Sequence, residues 1–116
     1  MKKLMLTAAA ASFITWSAAA IAHHGWSGYE SDIRKVAGVI EETSYGNPHG
    51  SIRLKSDDKT WVVVLAPPSR MSSRGLTADM LKVGAAVSVE GYQSTSNEKE
   101  MRAERISVDS KTIELR

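Results

Sequence analysis

The stretch TWVVVLAPPSRMSSRGLTADMLKVGAAVSVEGYQ, residues 60–93, passes from an apolar run through two prolines and a short polar segment to an alternating run. Residues 60–66, Thr60 followed by an unbroken apolar run, are of strand length. Pro67 and Pro68 end the strand, because proline cannot donate to a sheet ladder. Ser69 stands where it could cap a short helix over residues 70–74, closed by Gly75, the residue that tolerates a left-handed C-terminal conformation. Thr77 could cap a second helical turn over 78–81, with Asp79 facing the positive end of its dipole. Residues 85–93 then place Val87 and Val89 on one face and Ser88 and Glu90 on the other, the period of a half-buried strand. The centre of the chain thus reads strand, helical connection, strand.

Strand patterns flank this centre on both sides. Residues 36–46 are β-branched at their start and break at Gly46-Asn47-Pro48, and residues 51–58 alternate Ile52 and Leu54 with Arg53 and Lys55 before Asp57 and Asp58 turn the chain. Beyond the polar loop STSNEKE, residues 101–108 and 112–116 alternate less cleanly. Three strands, a helical connection and two or three further strands form the plan of the OB-fold, a five-stranded, partly open barrel. The expectation is an all-β, OB-like barrel of five or six strands over residues 36–116, with a short helix between strands three and four. A small open sandwich is the alternative.

The first twenty-two residues read as targeting rather than fold. Lys2 and Lys3 precede an uncharged, largely apolar run that ends at Ala20-Ile21-Ala22, the small-residue pattern of a secretory cleavage site. The polar residues Thr7, Ser12, Thr15 and Ser17 dilute the run and argue against a spanning anchor. A cut after Ala22 is expected, with a cut after Ala20 as the competing frame. The reading is a periplasmic protein with no stable membrane insertion after cleavage, an N-terminal segment 23–35, and the barrel.

Charge and cysteine content narrow the classes of partner. The whole chain carries a formal charge of +2, but Lys2 and Lys3 belong to the leader, which leaves thirteen bases against thirteen acids. A neutral domain gives no support to nucleic acid as its partner. With no cysteine in the chain, no disulfide staples the domain, so an apolar core or a ligand must hold it.

The histidines are the residues whose chemistry is most specific. His23 would become the first residue after a cut at Ala22, and an N-terminal histidine chelates through its own amine and imidazole. His24, or His49 in the loop GNPHG, could add a further nitrogen, a set that suits Cu(II) and resembles the histidine brace of copper-handling exported proteins. The metal expectation is therefore copper at His23, His24 and His49. A solvated tail and a plain turn are the alternatives, and they leave a metal-free module for a small ligand or a protein. Trp26 and Tyr29 could pin the N-terminal segment to the barrel, while Trp61, flanked by valines, reads as core. Arg70 and Arg74 share a helix face that could take an anion, pair with Glu41 or Glu42, or stay solvated. No nucleophile stands at a telling spacing from a base, so the protein reads as a binding module and not an enzyme.

The runs HHGWSGY, YGNPHG, TWVVVLAPPSRM, LKVGAAVSVEGY and MRAERI together resemble domain-of-unknown-function family 6152, small exported bacterial proteins. The resemblance spans nearly all of the chain beyond the leader. It implies export and a barrel, and it implies no chemistry.

Overall fold

The computed structural model of the chain describes residues 27–57 and 59–116. Residues 1–22, expected to be a leader, and His23, His24 and Trp26 lie outside the described residues. Six strands and one short helix follow one another as β1 (Tyr29–Ser44), β2 (Ser51–Lys55), β3 (Thr60–Val64), α1 (Pro68–Ser73), β4 (Ala86–Ser94), β5 (Glu100–Val108) and β6 (Lys111–Glu114). A 3-10 turn, Ala78–Leu81, lies between α1 and β4.

Closure depends on β1, whose sixteen residues serve two neighbours. Its first part pairs antiparallel with β4, from Tyr29 opposite Ser94 to Val39 opposite Ala86. Its last part pairs antiparallel with β2, from Val39 opposite Lys55 to Ser44 opposite Ser51. Gly38 sits where the strand passes from one partner to the other, and a Cβ there would overlap the Lys55 carbonyl oxygen. A short parallel pairing of β3 with β5, Val62 opposite Glu100 to Val64 opposite Arg102, closes the ring. The circuit β1-β2-β3-β5-β4-β1 is the OB barrel, and β6 extends it along the free edge of β5.

Alternation fills the interior. Ile52 and Leu54 from β2, Trp61 and Val63 from β3, and Val87 and Val89 from β4 all point inward and are buried. On β5 the inward residues change from Met101 and Ala103 to Ile106 and Val108, because the register with β4 shifts between Glu90 and Gly91. One extra residue in a strand reverses which face follows. Met71 of α1, Leu76 and Leu81 are fully buried in the same cluster, so the helical connection plugs the barrel. Each such aliphatic side chain contributes roughly 1.5–3 kcal/mol when fully withdrawn from water.

Three local features differ from the sequence expectation. β1 begins at Tyr29, inside the segment 23–35 expected to precede the barrel, because its first residues bond to β4 through the backbone while Ser31 to Lys35 stay exposed. α1 starts at Pro68 and has no side-chain cap from Ser69; proline at the first helical position is preset in φ and has no N–H to satisfy. Thr77 precedes the 3-10 turn, also without a side-chain cap. The helix end is as expected: Gly75 has φ of +89°, and the Leu76 amide reaches the Met71 carbonyl while the Gly75 amide reaches that of Ser72.

Candidate functional site

The β1–β2 loop is fastened at both sides. Gly50 donates its amide to Ala66 O at 2.8 Å and accepts the Leu65 amide at 2.9 Å, which brings the loop against the end of β3. Tyr45 donates its hydroxyl to Leu76 O at 2.7 Å and lies 3.0 Å from Ser72 Oγ, holding the loop to the helical plug. The Asn47-Pro48 peptide is cis. His49 is left at the rim, exposed, with Nδ1 3.4 Å from Gly50 O. A proton on Nδ1 turned to that carbonyl leaves Nε2 as the nitrogen able to ligate.

His49 borders a cleft of about 450 Å3 at the seam where β3 meets β5. Pro48, Val64 and Pro67 supply apolar wall, and Tyr29, Glu100, Arg102 and Arg116 supply polar groups. The strand geometry accounts for the company. Arg102 lies between inward Met101 and Ala103 and so points outward, beside Val64 in register. Arg116 follows buried Leu115, whose amide is tied to Glu104 O at 2.8 Å. The Arg116 guanidinium donates to Leu65 O at 2.6 Å and to Leu115 O at 3.3 Å.

Charges in the cleft act on one another. Burial, and then the Glu100 carboxylate that accepts its proton, push the Tyr29 hydroxyl up to about 12. Burial, reinforced by the neighbouring Arg102 and Arg70 guanidiniums, pulls Arg116 down to about 10, with Glu104 opposing. Arg116 is thus half-buried beside other guanidiniums.

The sequence-predicted residues separate into those the structure places and those beyond it. His49 is the one histidine among the described residues, and among them no three histidine or carboxylate groups converge as a metal set. Tyr29 lines the same cleft as His49, so the N-terminal segment enters the barrel beside that loop. Trp61 is buried, as expected of a core residue, and Lys59 Nζ lies 3.7 Å from its ring centroid. Arg70 and Arg74 have partners other than Glu41 or Glu42: they donate to the carbonyls of Leu115, Glu114 and Arg116. Sequence reasoning missed Glu100, Arg102 and Arg116. The signal for Arg102 was its outward position in MRAERI, but only closure of the seam brings these residues to Tyr29 and His49.

The fold and cleft define a small closed β-barrel of OB topology with a ligand-sized recess beside its β1–β2 loop. The chain belongs to the family of unknown function DUF6152, whose model matches residues 10–102. No curated protein matches it.

Proposed function

We propose that this chain is an exported, periplasmic binding module, not an enzyme, and that it holds Cu(II) through His23, His24 and His49. The observation that carries the reading is the shared cleft of Tyr29 and His49. His23 lies six positions before Tyr29, and six steps of extended chain reach about 20 Å. A histidine amine-and-imidazole chelate on that tether is thus within range of the His49 ring. Removal of the leader after Ala22 would create the amine, and a nitrogen-rich set suits Cu(II).

The metal-free reading has its own support. A recess of about 450 Å3 with apolar wall and a few convergent polar groups is the size and character of a small-ligand site. Intact mass and metal analysis of the exported protein separate the two. The expected result is a chain beginning at His23 with one copper, and tight Cu(II) binding lost in both His23→Ala and His49→Ala. Loss in His23→Ala alone identifies a chelate formed within the N-terminal segment, the frame expected from a cut after Ala20. Copper affinity no better than that of an unrelated histidine-bearing protein overturns the metal reading.

A further inference from the structure

The cleft's basic end is distinct in chemistry from the histidine rim. Arg102 and Arg116 both line it, and Arg70 is near enough to act on Arg116. Among the described lining residues Glu100 is the one carboxylate. Glu100 already accepts the Tyr29 hydroxyl at 2.7 Å. Among the described residues the lining thus carries more guanidinium than carboxylate, in a recess where Arg116 is half-buried. Like charges gathered in a partly dry site repel one another, and an anion there relieves the repulsion. Guanidinium groups present planar donor forks that match carboxylate and phosphate oxygens. Next to them stand Pro48, Val64 and Pro67, an apolar wall with no charge to match.

We propose that the seam cleft is a binding site for a small organic oxyanion, its charged end set between Arg102 and Arg116 and its apolar body lying along Pro48, Val64 and Pro67. The site needs no metal, and its occupancy does not depend on copper at the histidines.

The test uses the leaderless protein stripped of metal with a chelator, so that a failure of the copper reading leaves this one untouched. Acetate, butyrate and butyl phosphate are titrated at low ionic strength, and backbone amide shifts are followed by NMR. Saturable binding is expected, with a Kd on the order of 1 mM for butyrate or butyl phosphate. Shifts should centre on Tyr29, His49 and Arg102. Butyrate should bind more tightly than acetate by about fourfold for each added methylene that reaches the wall. The stronger of butyrate and butyl phosphate identifies the headgroup as carboxylate or phosphate. Arg102→Gln should weaken binding at least tenfold while the spectrum remains that of the folded barrel. Should that variant fail to fold, Arg102→Lys, which keeps the charge and loses the fork, provides the same comparison. Linear, non-saturating shifts, shifts centred elsewhere, equal affinity for acetate and butyrate, or unchanged binding in a folded Arg102 variant would each overturn the proposal.

Discussion

The Tyr29 hydroxyl donates to Glu100 Oε2 at 2.7 Å, joining the first residue of β1 to the first residue of β5. The bond lies at the seam and fixes the point where the N-terminal segment meets the barrel. A partly buried hydrogen bond to a carboxylate is worth about 1.5 kcal/mol or somewhat more. Tyr29→Phe keeps the ring and removes the donor, and should lower Tm by roughly 5–10 °C in a domain of this size. Thermal melts of the two proteins at neutral pH check it, and an unchanged Tm would make the contact incidental.

The same pair gives a pH dependence of defined sign. Tyr29 is raised from 10 to about 12 in the folded protein, so folding favours its protonated form. That contribution is complete below the unfolded value and is lost as pH rises from about 10 through 12. Arg116 works in the opposite sense: its value is lowered to about 10, so its cost to the folded state is relieved over the pH range above that. Both proteins carry Arg116, so the comparison isolates the tyrosine. Denaturant titrations should show the stability gap between wild type and Tyr29→Phe narrowing from pH 9 to pH 12.

Two glycines should respond very unequally to alanine. A Cβ at Gly91 would overlap the backbone carbonyl of Arg102, at the register shift between β4 and β5. Backbone cannot yield as a side-chain tip can, so Gly91→Ala should cost about 3 kcal/mol, the upper range for overpacking. Gly46, in the β1–β2 loop, has only Ser44 Oγ near, at 4.0 Å, and Gly46→Ala should stay within about 0.5 kcal/mol. Chemical denaturation of both variants measures the difference.

The barrel was legible because its inward residues obey simple periods: Ile52 and Leu54, Val87 and Val89, and the apolar run around Trp61. Pro67 and Gly75 fixed the ends of strand and helix for reasons local to the chain. The start of β1 was hidden, since Ser31 to Lys35 are exposed and gain their strand character from backbone bonds to β4 alone. The cleft was hidden for a different reason. Tyr29 and Glu100 are 71 residues apart, and only the three-residue parallel pairing of β3 with β5 assembles them with Arg102 and His49. His49 was visible as a loop histidine framed by glycines, but its neighbours were not.

The C-terminal strand offers the last test, because its backbone is held by side chains from the helix. Arg74 Nη1 donates to the carbonyls of Glu114 at 3.1 Å and Arg116 at 3.2 Å, and Arg70 Nη1 reaches Leu115 O at 3.3 Å. These bonds cover backbone acceptors at the end of β6, while Ile113 and Leu115 bury their side chains in the core. The Glu114 side chain is held separately, accepting from Arg105 Nε at 2.9 and 3.1 Å. Arg74→Ala therefore removes its two backbone bonds and leaves the Arg70 bond, the core and the Arg105 pair in place. Solvent-exposed bonds of this kind contribute about 1 kcal/mol, so local opening of β6 should become about fivefold more frequent. Amide exchange should quicken by that factor at Ile113 and Leu115 and hold steady at Val89 in β4. Arg74→Lys, with its charge but without the fork, should recover only part of the protection. Equal acceleration in β6 and β4 would mean that the arginine supports the whole barrel, and no acceleration in either would mean that the buried side chains alone retain the strand.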